Sequence, residues 1–410
     1  MGYSRCVAWV ARKAVMSTED PLSRIRERID AIDQELLHLI SARAALAREV
    51  AAVKAANGDR KFYRPEREAA VLRRIKEQNP GPLDGEEITR LFREIMSACL
   101  ALEQPLSVAF LGPEGTFTQA AALKHFGHSI HAVPVGDIAD VFREVEAGSC
   151  AYGVVPVENS TEGVISHTLD LFMGSPLKIA GEVTLRIHHY LMSRETDLAD
   201  IRTLFSHQQS LAQCRGWLDH HLPGAERIAV GSNAQAAAMA AAEASSAAVA
   251  GESAAGTYGL EILARRIEDE PGNTTRFLVI AKEDSPASGR DKTSLLLTCR
   301  NEPGGLYQLL APLAEHHISM TRIESRPSRR GIWDYVFYID ILGHREEALV
   351  GKALTQLESA SLYFKILGSY PEAVLCPHRE RFPPAPDYLP DRVRTAIPPN
   401  RPVPGFSTDR

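Results

Sequence analysis

LSRIRERIDAIDQELLHLISARAALAREVAAVKAA, residues 22–56, repeats apolar side chains at a 3–4 spacing: Leu22, Ile25, Ile29, Ile32, Leu36, Leu39, Leu46, Val50 and Val53. The spacing predicts one helix to about Ala56, where Asn57-Gly58 ends it, ~50 Å long at ~1.5 Å per residue. A stripe that long cannot be covered inside a domain of under about 100 residues, so a partner helix from a second chain is expected. Two shorter helices follow. One starts near Pro65 with Val71, Leu72 and Ile75 inward, and one runs from Glu86 to Gln104 with Ile88, Leu91, Ile95, Cys99 and Leu102 inward. Pro80-Gly81-Pro82 separates them, so residues 20–106 are expected to form an all-helical domain.

The pattern changes at Leu106. Short apolar runs, Val108 to Leu111, Ile130 to Pro134, Val154 to Val157, Ile179 to Leu185, Ile201 to Phe205, Ala247 to Ala250 and Phe277 to Ala281, alternate with amphipathic segments. That alternation predicts α/β architecture over 107–284, with helices capped at Thr118, Asp137, Ser160-Thr161 and Ser232-Asn233. The stretch from Asn233 to Gly256 holds 13 alanines and reads as two helices around a short strand. Asp284 to Asp291 reads as a linker. Residues 291–371 then follow the order βαββαβ. Ten of the 25 prolines fall in the last 40 residues, so 1–19 and 372–410 are expected to be poorly ordered.

Composition agrees with this multidomain plan. A chain of 410 residues makes roughly three domains at ~150 residues each. An apolar fraction of 44%, a charged fraction of 24% and a mean hydropathy of -0.16 exclude a collagen-like, disordered or purely coiled-coil chain. A net charge of -6 gives no general basic field for nucleic acid, so an anionic ligand must be met by local groups. Six scattered cysteines without CxxC, and histidine pairs without HExxH, point to no metal and a reducing cytoplasm. No apolar run reaches the ~20 residues of a membrane span. Arg5, Arg12 and Lys13 leave two readings of the N-terminus, a targeting segment or an unstructured leader before Met16.

Arg43 is the one cation of the long apolar stripe. Read alone, it is either an arginine paired to a carboxylate for register or one wall of an anion pocket. Lys54, eleven residues on, lies on the same face ~16 Å along the axis, and the two long side chains can converge. Arg26 is ~25 Å from Arg43 along the helix and can share a small ligand with it only from a second chain. Ile25 to Asp30, Asp33, Ala42-Arg43, Val53-Lys54 and Tyr63 to Glu68 resemble the all-helical chorismate mutases over residues 20–105. The resemblance implies a substrate site of Arg26 (in trans), Arg43, Lys54, Arg67, Glu68, Cys99 and Glu103 in an intertwined dimer. Arg64 stands where that family often has Asp, and no contact is carried over there. Chorismate rearranges in one pericyclic step, so the implied site needs conformational restraint and charge complementarity rather than a nucleophile, base or cofactor. Position 103 can be Gln in relatives; a Glu donates a hydrogen bond only when protonated, so mutase activity is expected to fall as pH rises.

Residues 107–282 lack GxGxxG, GxSxG and GxxxxGK[ST]. Polar clusters recur instead where strands are expected to give way to helices: Gly112 to Thr118, Pro156 to Gly163 and Ser206 to Gln209. Each alone reads as an ordinary helix cap or as a carboxylate site built from backbone N–H groups. With Asn273-Thr274-Thr275-Arg276-Phe277 they resemble the ordered motifs of prephenate dehydratases. This implies two α/β lobes around a cleft, as in periplasmic binding proteins, and a catalytic set of Asn159, Ser206, Gln213, Thr275, Arg276 and Phe277. The implied reaction removes CO2 and the ring hydroxyl of prephenate to leave phenylpyruvate.

Glu302-Pro303-Gly304-Gly305-Leu306 (preceded by Asn301) and Thr321 to Pro327 resemble the ACT regulatory domain attached to such dehydratases. That resemblance implies L-phenylalanine as feedback effector, bound by Gly304, Gly305, Leu306, Glu324, Ser325, Arg326 and Pro327, in a homodimer or tetramer. Two other readings stay open, a dehydratase preferring arogenate and an amino-acid sensor whose catalytic domains have degenerated.

Overall fold

A computed structural model describes residues 20–58, 63–299, 302–327 and 335–373. The N-terminal leader, nearly all of the proline-rich tail and Asn301 lie outside the described residues. Three helices open the chain: α1 (Pro21–Ala56), α2 (Pro65–Gln78) and α3 (Gly85–Glu103). Asp20 caps α1 through its carboxylate, which accepts the Leu22 N–H at 3.2 Å, and Pro21 fits the first turn, where no N–H donor is needed. α1 buries no residue. Leu22, Ile25, Ile29, Ile32, Leu36, Val50 and Val53 are each about half exposed, while Arg43, Ala44, Ala47, Ala51 and Lys54 are half-buried on the side that meets α3.

Two α/β lobes follow. The first holds β1 (Ser107–Leu111), α4 (Phe117–Phe126), β2 (His131–Val135), α5 (Ile138–Ala147), β3 (Tyr152–Asn159), β4 (Gly163–Val164), α6 (Ser166–Gly174) and β5 (Lys178–Arg186). The second holds β6 (Tyr190–Ser193), β7 (Thr203–His207), α7 (Gln208–Gln213), α8 (Arg215–His221), β8 (Glu226–Val230), α9 (Asn233–Ala242), β9 (Ser246–Ala250), α10 (Glu252–Tyr258) and β10 (Glu261–Arg265). The chain then returns through β11 (Thr274–Ala281), which inserts antiparallel between β3 and β5 to give the order β2-β1-β3-β11-β5. The second sheet runs β10-β6-β9-β7-β8. Two crossings, 187–189 and 266–273, therefore join the lobes and form the floor between them.

Several expectations change. The cap of α4 is Thr116, which accepts from the Gln119 N–H, and Thr118 is buried inside the helix. Ser160-Thr161 caps no helix but sits in the turn between β3 and β4, so the Pro156 to Gly163 cluster is a hairpin. Strands β6, β8 and β10 have no counterpart in the sequence reading: β6 is four residues long, and Glu226–Val230 and Glu261–Arg265 are edge strands that mix charge with apolar residues. The Ala-rich stretch does form α9, β9 and α10.

The last unit is β12 (Asp291–Thr298), α11 (Gly305–Glu315), β13 (Met320–Pro327), β14 (Tyr335–Leu342), α12 (Ala348–Ala360) and β15 (Tyr363–Pro371), with strand order β13-β14-β12-β15. One face of this sheet, Leu295, Leu297, Phe337, Ile339 and Ile341, packs on α11 and α12. The other face joins the core of the first lobe, where Leu296, Val336, Tyr338, Leu367 and Tyr370 meet Val155, Val157, Phe172, Ile179 and Leu278. The 284–291 segment is tied down. Ser285 donates to the Ala180 carbonyl at 3.2 Å, Asp284 pairs with Arg345 at 2.5 Å, and buried Asp291 begins β12.

The helical domain docks on the opposite face of the first sheet. Tyr63 is buried against Phe126 and Tyr152, its ring centroid 5.3 and 5.4 Å from theirs. Beside it, burial pushes the Glu68 carboxyl up to about 7, against the pull of Arg93 at 3.5 Å. A carboxyl raised by folding holds its proton more tightly in the native state. The stabilisation is complete below the unfolded value of ~4.3 and is lost as pH rises through the folded value. Glu68→Gln is expected to flatten this loss in denaturant midpoints measured at about pH 5 and about pH 8; a variant as pH-sensitive as the parent would contradict it.

Candidate functional site

In the helical domain, the alanines at 44, 47 and 51 let α3 approach α1, and Lys54 on the last turn of α1 meets Glu103 on the last turn of α3. Lys54 Nζ lies 3.5 Å from Glu103 Oε2, and that oxygen is buried without a hydrogen bond. Cys99, one turn before Glu103, is buried on the same side of α3, and Arg43 shares the α3-facing side of α1 with Lys54. Lys54 and Glu103 thus meet on one wall, with Arg43 about three turns earlier on the same side of α1. Glu68 is drawn to Arg93, Arg67 is exposed, and Arg26 stands exposed on the half of α1 that none of the described residues covers.

In the lobed domain, Thr275 and Asn159 face each other across β11 and β3, and Asn159 Nδ2 donates to Thr275 Oγ1 at 2.8 Å. Asn159 is itself fixed: its Oδ1 accepts the N–H groups of Thr161 and Glu162 at 3.0 and 3.1 Å, which settles the orientation of the amide. The hairpin turn therefore serves to aim Asn159 at Thr275. Because the Thr275 oxygen accepts this bond, its own proton remains available to a ligand.

Across the floor, Gln213 Oε1 accepts from Asn273 Nδ2 at 3.1 Å and lies 2.8 Å from His189 Nε2. His189 escaped the sequence reading, in which its pair with His188 figured only as a failed metal motif. Burial holds its imidazole below the usual range, hence neutral at pH 7, and the Phe117 ring at the start of α4 packs edge-on at 5.9 Å. His188 pairs with Glu268 at 2.6 Å, so both crossings are pinned together. The lobes also touch at the rim, where Gln209 donates to Glu162 and Tyr258 donates to the Glu114 carbonyl at 2.8 Å.

Three of the expected residues lie elsewhere. The Ser206 hydroxyl is buried, bonded to the Val249 carbonyl at 2.7 Å and to Asn233 at 3.0 Å, and it orients the start of α9. Strand alternation carries Phe277 into the core beside Phe126 and turns Arg276 to the opposite face, against the regulatory sheet. The effector motif divides in the same way. Ser325 pairs with Phe337 on the helix side of its sheet, near the exposed Ile323, whereas Glu324 and Arg326 face the first lobe, and Arg326 lies 3.6 Å from Asp170. Gly304 caps α11 in the left-handed region at φ 82°, and Gly305 and Leu306 open that helix. Among the described residues no group of three or more His, Cys, Asp or Glu could hold a metal ion, and no helix is long and apolar enough to cross a membrane.

Three family models match in order: chorismate mutase type II over residues 25–104, prephenate dehydratase over 108–285 and the ACT domain over 293–359. The bifunctional chorismate mutase/prephenate dehydratase of Stutzerimonas stutzeri is 56% identical over 365 residues, covering 88% of this chain and 100% of its own length. The protein of the same description from Escherichia coli K12 is 35% identical over 388 residues, covering 88% and 99%. The crystal structure of a prephenate dehydratase from Arthrobacter aurescens in complex with L-Phe superimposes with a TM-score of 0.60 at 33% identity, over 65% of this chain and 90% of that one. The chain belongs to the family of bifunctional chorismate mutase/prephenate dehydratases.

Proposed function

We propose that this chain rearranges chorismate to prephenate in its helical domain, converts prephenate to phenylpyruvate between its two lobes, and is inhibited by L-phenylalanine through its ACT domain. The observation that carries the reading is the Asn159–Thr275 couple, a hydroxyl whose oxygen is already bonded and whose proton is free to meet a leaving hydroxyl group. Loss of CO2 leaves electron density that expels this hydroxyl as water, and aromatisation drives the step. The site need only orient the ring and stabilise the departing oxygen. Thr275→Ala is expected to lower dehydratase turnover by about 10²–10⁴-fold and leave mutase turnover unchanged. Coupled assays from chorismate and from prephenate separate the two; full dehydration by the variant would refute the role.

For the mutase step, Arg43 and the Arg26 of a partner's helix clamp the carboxylates, and Lys54 and Glu103 donate toward the ether oxygen as its bond to carbon breaks. The uncovered stripe from Leu22 to Leu36 supports that partner: large apolar side chains in an exposed row of this length mark an interface. Arg26→Ala and Arg43→Ala proteins are each expected to be inactive as mutases. Mixed and allowed to exchange, they should regain about a quarter of wild-type activity, because half the dimers are mixed and one site in each is whole. No recovery would place both arginines in one chain's site. Glu103→Gln, whose amide donates without an acidic proton, is expected to keep mutase turnover, read from kcat.

Four cysteines, Cys99, Cys150, Cys214 and Cys299, are free thiols among the described residues, the first three buried, which supports placement in the reducing cytoplasm.

A further inference from the structure

The residues next to the Asn159–Thr275 couple form a second couple. Glu158 and Arg276 are cross-strand partners in β3 and β11, and both point away from the cleft. The geometry at this point is not simple alternation: the register shifts between Arg276 and Phe277, leaving Val157 as an extra residue of β3, and this bulge turns Glu158 to the face that Arg276 occupies. The regulatory sheet presents the mirror arrangement. Arg322 and Asp340 are cross-strand partners in β13 and β14 and face the first lobe. The ion pairs run between the sheets, Arg276 Nη1 to Asp340 Oδ2 at 2.6 Å and Arg322 Nε to Glu158 Oε2 at 2.9 Å. Two strands that carry the cleft couple are thus clasped, one residue away, by two strands of the effector domain.

Apart from Glu158, which stays partly exposed, the clasp is largely buried, and it is braced. Arg276 also bonds Glu182 at 2.7 Å and Tyr370 at 3.2 Å, Lys292 bonds the same Glu182 at 2.7 Å, and Ser294 donates to Asp340 at 2.5 Å. Its cations Arg276, Arg322 and Lys292 balance its anions Glu158, Glu182 and Asp340. Arg322 retains one buried nitrogen, Nη2, without a hydrogen bond, and a small cavity lined by Arg276, Arg322, Asp340 and Tyr338 lies at the square. β13 is an edge strand with Ile323 and Ser325 on the effector side and Arg322 and Arg326 on the catalytic side. Any ligand that shifts or stiffens β13 moves the guanidinium that holds Glu158.

We propose that the square Glu158–Arg322–Asp340–Arg276 is the positioning device that couples the ACT domain to the Asn159–Thr275 couple. This rests on the reading that L-phenylalanine binds the ACT domain and inhibits dehydration. The four residues do not touch substrate; they set the angle at which Asn159 and Thr275 are presented.

The test uses the full chain carrying Arg322→Gln, Arg322→Lys or Asp340→Asn, with three readouts: L-phenylalanine binding by calorimetry, its inhibition of dehydration, and kcat and KM without it. Mutase activity and the melting temperature report folding. Arg322→Gln and Asp340→Asn are expected to bind phenylalanine as the parent does, to need about 10-fold more of it for half inhibition, and to change kcat more than KM. Arg322→Lys keeps the charge and the reach to Glu158, and it should restore much of the inhibition. Should Asp340→Asn fail to fold, the Gln and Lys pair at the less buried Arg322 carries the comparison. Folded variants with parental inhibition and parental kcat would overturn the coupling. A parent that neither binds nor responds to phenylalanine would instead overturn the feedback reading, and kcat of the variants would still decide whether the square positions the cleft.

Discussion

The architecture depends on one close approach. Where β15 crosses β5, the backbone of Gly368 lies against that of Ile179, and a Cβ at 368 would stand 2.1 Å from the Ile179 carbonyl oxygen. No side chain fits there, so the regulatory sheet can lie flat on the lobe and complete its core. Lys178 and Lys365 sit at this seam with their ammonium groups on carbonyls of the facing unit, Ile366 at 2.9 Å and Phe172 at 2.8 Å. The two sheets share one apolar cluster, so the effector domain is part of the catalytic domain's interior rather than a module on a tether.

Burying that interface also removes charges from water. Six ionised side chains in one seam would be costly if any were unpaired, and their mutual satisfaction is what makes the seam tolerable. Such a network contributes little net stability compared with an apolar one, but it admits very few relative placements of the two sheets. Arg276 is fixed by Glu182 on its own sheet and by Asp340 on the other, so displacing one sheet breaks at least one bond to a buried guanidinium.

Much of this plan is legible along the chain. Helical spacing from Leu22 to Val53, the βαββαβ order and the Ala-rich helices around β9 all depend on local periodicity, which the sequence displays directly. Site chemistry is legible only where a residue's type suffices: Lys54 and Glu103, almost fifty residues apart, meet as their motifs imply. What stays hidden is direction. Thr275, Arg276 and Phe277 form one motif, yet a strand sends the first to the cleft, the second to the effector sheet and the third to the core. Ser206 looks like a ligand-binding hydroxyl and proves to be a brace for Asn233. His189 carries no motif at all, and only the return of β11 across the fold brings Asn273 and Gln213 to the same floor.

The two active sites solve the same electrostatic problem differently, and the mild overall charge explains why they can. In the helical domain the positive groups are side chains on long helices, Lys54 of α1 beside Glu103 of α3, with Arg43 on the same side of α1. Between the lobes, the positive ends are N–H groups and amides: Asn159 and Asn273 at strand ends, with the first turns of α4 and α9 at the cleft's edges. On the proposed reading, such dipoles would bind a carboxylate without adding a cation that would hold the CO2-losing group in its charged ground state. A strong cation beside that carboxylate would oppose decarboxylation, whereas a neutral floor lets the charge migrate into the ring as the hydroxyl leaves. The one arginine of the Thr275-Arg276-Phe277 motif accordingly points out of the cleft, and its charge is cancelled by Asp340 and Glu182 on the far side of the sheet.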